Sequence, residues 1–253
     1  MRRFEGRRAL VTGGGHGIGL ASASRLAAEG AAVVLADIDE EAATTAAAEL
    51  QASGAPASAV SCDVTDTNSV ERAVGYAVGR LGGLDVVVCT AGGDALAGNP
   101  ENPDDDHWAR MLDLNLVGVV RCVRAALPHL RTTPIVAGVV IIGSINALVA
   151  AGSEPYSAAK AGLQSLTLNL AARHGPEGVR VNLIAPATVR TRVWDDQPDE
   201  LARLTSLYPL GRVATPDDIA AAVAFLASDD AAWITGITLP IDGGLLAAGP
   251  ISR

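Results

Sequence analysis

Tyr156 and Lys160 stand four residues apart in Tyr156-Ser157-Ala158-Ala159-Lys160, and of the 19 Lys and Arg residues in the chain this is the only lysine. An ammonium is a compact point charge and a guanidinium a planar fork, so a single lysine among arginines marks a position that needs the former. Residues 156–172 are rich in Ala and Leu and free of Pro, which predicts a helix. Positions i and i+4 share one face of a helix, so phenol and ammonium become neighbours. A free phenol titrates near pH ~10, and a nearby cation lowers that value by favouring the phenolate. Such a tyrosine can give and take a proton near neutrality. Taken alone, the pair also reads as a surface tyrosine packed on a lysine stem.

A second group of residues could hold an anion. Thr12-Gly13-Gly14-Gly15-His16-Gly17-Ile18-Gly19 follows an apolar run and opens a helix. Glycines let the backbone approach a pyrophosphate closely, and the helix start presents free N–H groups and a positive dipole end. The spacing is G-x-x-x-G-x-G, not the G-x-G-x-x-G of the usual dinucleotide fingerprint. Asp37 comes 18 residues past Gly19, at the end of the second expected strand. A carboxylate there accepts hydrogen bonds from adenosine ribose hydroxyls. It repels a 2′-phosphate, and Ile38-Asp39-Glu40-Glu41 brings no compensating cation, which favours NAD over NADP. Asp37 can also cap the next helix, a role that Asp39 fills as well. Asp63-Val64 is placed to hold the adenine edge and Thr90-Ala91-Gly92 to pass along the cofactor; each is also ordinary turn chemistry.

These residues need a scaffold that brings strand ends together. Short apolar runs at Ala9–Thr12, Ala32–Ala36, Ala57–Cys62, Asp85–Cys89, Gly138–Gly143, Arg180–Ile184 and Ile237–Ile241 read as strands. Helical patterns lie near 17–29, 39–53, 66–81, 104–131, 155–174 and 215–228. The strands are rich in Val and Ile without strict alternation, as a parallel sheet covered on both faces requires. The expected fold is α/β: one Rossmann-type domain over residues 1–253, a doubly wound parallel sheet of about seven strands with helices on both faces. Ligands of such sheets sit at the carboxyl ends of the strands, where every motif above falls.

Composition narrows the function. The net charge of −9 argues against a nucleic-acid surface. No apolar run approaches a membrane span, and no signal-type stretch follows the early arginines. Cys62, Cys89 and Cys122 have no metal-ligand spacing and read as buried thiols in a reducing cytoplasm. The run Asp104-Asp105-Asp106 reads as a helix cap, and no metal is expected.

Together the motifs resemble the classical short-chain dehydrogenase/reductase family, over nearly the whole chain from Ala9 to Gly244. Thr12 to Gly19 matches its Thr-Gly-x-x-x-Gly-x-Gly, Asn115 its helix asparagine, Ser144 its serine, and Tyr156 with Lys160 its Tyr-x-x-x-Lys. Pro186-Ala187-Thr188-Val189-Arg190-Thr191 matches its Pro-Gly-x-x-x-Thr, and Pro209 to Arg212 with Asp242-Gly243-Gly244 its ending. The resemblance implies hydride transfer between nicotinamide and a carbinol carbon. Tyr156 would move the proton, Lys160 would lower its pKa and bind the nicotinamide ribose, and Ser144 would hold the substrate oxygen. Asn115 would hold a relay water; it also reads as a buried amide satisfying a helix irregularity. The dinucleotide would lie against Gly13, Gly15, His16, Gly17, Ile18, Gly19, Asp37, Ile38, Asp63, Val64, Ala91, Gly92, Tyr156, Lys160, Pro186, Val189 and Thr191.

Three departures from the family stand out. Cys89-Thr90 replaces Asn-Asn, where Thr90 could restore some hydrogen bonding. Ser144 lies 12 residues before Tyr156, one fewer than is common. Ala187 replaces the Gly of Pro-Gly.

Asp94, Asn146, Glu154, Arg192 and Trp194 are expected at the substrate pocket, and suggest a small polar substrate. Residues 188–209 are expected to form a mobile lid. The first reading is an NAD(H)-linked alcohol dehydrogenase or ketone reductase. The alternatives are an NADPH-dependent biosynthetic ketoreductase of the 3-oxoacyl or polyketide type and a non-catalytic NAD-binding sensor. The resemblance implies a homotetramer, and Ala158, Ala159, Ala161 and Gly162 would permit close helix contact.

Overall fold

The computed structural model describes residues 2–94, 103–133 and 137–248. Seven parallel strands form one sheet: β1 Arg8–Thr12, β2 Ala32–Asp37, β3 Ala57–Ser61, β4 Val86–Cys89, β5 Ala137–Ile142, β6 Val179–Pro186 and β7 Thr238–Ile241. Their spatial order is β3-β2-β1-β4-β5-β6-β7. The chain reverses direction across the sheet between β1 and β4, and that crevice is where such folds bind ligands.

Alternate residues of a strand point to opposite faces, and here both faces are covered. From β1, Ala9 and Val11 enter one core and Leu10 the other. The first core takes α1 Gly17–Ala28, α2 Glu40–Ala52 and α8 Pro216–Ala227; the second takes α3 Thr67–Leu81, α5 Gly118–Leu130 and α6 Glu154–His174. This double burial is why the strands read as unbroken apolar runs.

Helix starts carry their own signals. Asp39 caps α2 by accepting from Ala42 N, and Asp104 caps α4 (Asp105–Leu112) by accepting from His107 N. The triple aspartate is therefore a cap, and no metal-binding cluster of His, Cys, Asp or Glu exists among the described residues. Cys62, Cys89 and Cys122 are free and buried. Burial pushes the Cys62 thiol up to about 12. Among the described residues no helix is long and apolar enough to cross a membrane.

Three features differ from the sequence expectation. The helix expected over 104–131 is interrupted between α4 and α5 by a π-helical turn, Asp113–Val117, which carries Asn115. Residues 198–205 form a short helix, α7, inside the expected lid, and Leu245–Ala248 form a last turn, α9. The shortened passage from Ser144 to Tyr156 bends through two left-handed residues, Gly152 at φ 82° and Ser153 at φ 48°. Ser153 is the one non-glycine residue described with positive φ, whereas Ala187 needs no such angle.

Candidate active site

At the carboxyl ends of β1, β2, β4, β5 and β6 lies a cleft of about 580 Å³. Its floor at one end is the glycine turn. Gly13 has φ 66°, and a Cβ there would stand 2.8 Å from Ala91 N, so only glycine lets β1 and β4 meet at this turn. A Cβ on Gly19 would collide with the Gly13 carbonyl. Asp37 ends β2 and is buried; its carboxylate accepts from Gly15 N at 2.8 Å and from Asp39 N at 3.0 Å. Helix capping falls to Asp39, so Asp37 is left to brace the glycine turn and face the cleft.

Gly13, His16, Gly17, Ile18, Gly19, Asp37, Ile38, Asp63, Val64, Ala91, Gly92, Pro186, Val189 and Thr191 all line this cleft with Ser144, Tyr156 and Lys160. Gly15 touches it only through Asp37. Thr90 Oγ1, also at the cleft, is buried with no hydrogen-bond partner among the described residues. Thr90 therefore does not restore the amide bonding expected of it. An orphaned hydroxyl, a buried carboxylate at the end of β2 and glycines packed beyond any Cβ all fit a dinucleotide laid across the strand ends.

Tyr156 and Lys160 lie on α6, as their spacing predicts. Lys160 is 4% exposed; its Nζ donates to the Ile142 carbonyl at 3.0 Å and sits 5.4 Å from the centroid of the Tyr156 ring. Burial holds the Lys160 ammonium down at about 8, against an ordinary 10.5. The expected lowering of Tyr156 by Lys160 is not what the structure gives. Burial raises the phenol above its usual value, a hydrogen bond with Ser144 opposes this, and the charge of Asp94 adds to it. Desolvation of the buried phenol is the largest influence on it, and it disfavours the phenolate.

Ser144 Oγ donates to Asn146 Oδ1 at 3.0 Å and accepts from Asn146 N at 3.2 Å. Asn115 is fully buried in the π turn: its Nδ2 donates to the Gly93 carbonyl and its Oδ1 accepts from Gly93 N, both at 2.9 Å. The helix irregularity and the site amide are thus one feature, since the π turn aims Asn115 at the loop after β4.

The expected substrate residues are dispersed. Asp94 is exposed and outside the cleft lining, one residue beyond Gly93, which lines it, and accepts from Ser153 Oγ at 2.8 Å. Asn146 acts through Ser144, and Glu154 is exposed in the first turn of α6. Arg192 lines the cleft beside the glycine turn, and its Nη1 lies 2.8 Å from His16 Nε2, which also lies 2.8 Å from Asp39 Oδ2. His16 in turn lowers the Asp39 carboxyl. Trp194 is outside the cleft lining, and Val193 stands in its place. Sequence reasoning missed Val193, Leu114 and Gly93, because an apolar side chain or a bare glycine carries no chemical signature.

The family model described as enoyl-(acyl carrier protein) reductase matches residues 13–246. The chain is 39% identical over 248 residues, 97% of each chain, to meso-2,3-butanediol dehydrogenase of Serratia marcescens. It is 39% identical over 249 residues, 96% of this chain and 98% of the relative, to cis-4-hydroxycyclohexanecarboxylate dehydrogenase of Sinomonas cyclohexanicum. It superposes on the crystal structure of gox2181 with a TM-score of 0.91 at 35% identity, over 97% of each chain. The chain belongs to the classical short-chain dehydrogenase/reductase family, and is an oxidoreductase of CH–OH groups that uses a nicotinamide cofactor.

Proposed function

We propose that the protein interconverts a small polar secondary alcohol and its ketone with NAD(H). The observation that carries the reading is the convergence of Ser144, Tyr156 and Lys160 with the glycine turn and Asp37 in one cleft. The nicotinamide ring supplies the hydride acceptor or donor when bound. Tyr156 Oη moves the proton on the substrate oxygen, and its raised pKa keeps it protonated at neutral pH, ready to act as an acid toward a carbonyl. Ser144 Oγ bonds the phenol and helps fix its direction. Lys160, mostly charged at neutral pH, supplies positive charge beneath the ring and the donor for a ribose hydroxyl. Asn115 holds the Gly93 loop that forms the floor beside it.

Asp37 supports NAD over NADP, since a buried carboxylate at the end of β2 disfavours a 2′-phosphate. Residues 188–209 would act as a lid within a single domain, with Thr191 seated on Gly17. A homotetramer is supported by exposed Leu168 on α6. Of the small residues there, Ala159 is buried and Gly162 packs on Leu116 within the subunit, so Ala158 and Ala161 remain for such a contact.

The test is NADH formation across secondary alcohols, polyols, hydroxysteroids and hydroxyacyl thioesters, with NAD and NADP side by side and Lys160→Ala as control. Turnover with NAD that vanishes in the variant is the expected result. Preference for NADP would point to the ketoreductase alternative, and tight NADH binding without turnover to a sensor.

A further inference from the structure

Asp94 is anchored from two sides. It follows Gly93, whose N–H and carbonyl are both held by the Asn115 amide at 2.9 Å. Across the site, Ser153 Oγ donates to Asp94 Oδ1 at 2.8 Å. Ser153 is the N-cap of α6, three residues before Tyr156, where a serine ordinarily caps the helix with its side chain. Here it makes no side-chain cap bond and adopts a left-handed backbone, φ 48°, that L-residues disfavour. Its hydroxyl is turned to the carboxylate instead, and strain of this kind gathers where a ligand is positioned.

Asp94 is exposed, and its Oδ2 receives no hydrogen bond from the described residues. No cation pairs with it among the described residues. Lys160 is bound to the Ile142 carbonyl, and Arg192 is drawn to His16 at the dinucleotide end. Residues 95–102 add no Lys or Arg to the sequence that follows it. A carboxylate accepts hydrogen bonds and gives none, so the group that meets Oδ2 must be a donor. Gly93 lines the cleft and Ser153 opens the helix turn that carries Tyr156, so Asp94 is held at the rim of the cleft on the Tyr156 side.

We propose that Asp94, fixed by Ser153, orients the substrate by accepting a hydrogen bond from a hydroxyl or ammonium one or two carbons from the reacting carbinol. The substrate class is then short diols and amino alcohols, and hydroxy acids are disfavoured by the uncompensated carboxylate. This rests on the oxidoreductase reading above and names its substrate.

The experiment measures kcat/KM of the purified protein with NAD on 2-butanol, 2,3-butanediol, 3-amino-2-butanol and 3-hydroxybutyrate. The diol and the amino alcohol should each exceed 2-butanol by about tenfold or more, the worth of one charge-assisted hydrogen bond. The hydroxy acid should trail all three. Asp94→Ala should collapse both ratios. Asp94→Asn, which keeps an acceptor and loses the charge, should leave a diol ratio of about two- to threefold and lose that of the amino alcohol. Ser153→Gly retains the left-handed turn without the hydroxyl, and should raise KM for the diol relative to 2-butanol. Ratios unchanged in Asp94→Ala and Ser153→Gly would overturn the proposal and leave the oxidoreductase reading standing. Silence with every alcohol under both cofactors would overturn the two together.

Discussion

Lys160 Nζ and the Ile142 carbonyl are 3.0 Å apart, and this bond holds a buried ammonium 5.4 Å from the centroid of the Tyr156 ring. A charge buried with one neutral acceptor is costly, which is why Lys160 titrates at about 8. The folded-state pKa is depressed below the ordinary 10.5. Between pH 8 and 10.5 the unfolded chain therefore binds more protons, and stability rises with pH; below about 8 the whole cost of burial is present.

Lys160→Met should therefore abolish turnover while stabilising the fold. The fall from 10.5 to about 8 corresponds to about 3 kcal/mol, and the Ile142 carbonyl left unbonded takes back about 1 kcal/mol. The expected net gain is about 2 kcal/mol at pH 7 in urea unfolding, shrinking as the pH approaches 10. A destabilised variant at neutral pH would show that the ammonium supports the fold.

Tyr156 responds to two neighbours of opposite sign. Ser144 lowers its pKa by hydrogen bonding, and Asp94 raises it by charge. Alcohol oxidation needs the phenolate, so its rate should rise with pH through the phenol pKa. Ser144→Ala should move that limb to higher pH and Asp94→Asn to lower pH. The pH profile of kcat/KM for oxidation reads both; movement in the same direction would remove Tyr156 as the titrating group.

Asp37 both braces Gly15 and faces the cleft. Asp37→Ser should weaken NADH binding by about 10- to 100-fold, the range of one charge-assisted hydrogen bond, and bring NADPH binding closer to it. Fluorescence titration with each cofactor checks this. An unchanged preference for NADH would place the discrimination elsewhere, with His16, Asp39 and Arg192 the next residues to vary.

Gly19→Ala would set a methyl group against the Gly13 carbonyl, with no flexible side chain to yield. The variant should fold with a loosened turn and lose dinucleotide binding before it loses helical content. Circular dichroism and NADH titration on one sample separate the two effects, and intact binding would contradict the packing seen at the turn.

The sheet was legible because strands buried on both faces must be apolar throughout, and Val86–Cys89 or Ala137–Ile142 can hardly read otherwise. The Tyr156–Lys160 pair was legible because helical periodicity is local. What escaped was set by tertiary contact. The π turn at Asn115 depends on Gly93 across the loop, and the sequence from 104 to 131 gives no break signal there. Arg192 lines the cleft, but its contact with His16, 176 residues away, had no signal in the sequence. The direction of the Tyr156 shift was misread because sequence supplies the cation and not the burial that outweighs it.

The most direct test of the account is Tyr156→Phe, assayed for turnover and for NADH binding on the same preparation. The account predicts that turnover with the best alcohol falls by at least about a thousandfold, within the scale of general acid–base catalysis, while NADH affinity stays within about threefold. Turnover that survives in the phenylalanine variant would contradict the assignment of the proton to Tyr156.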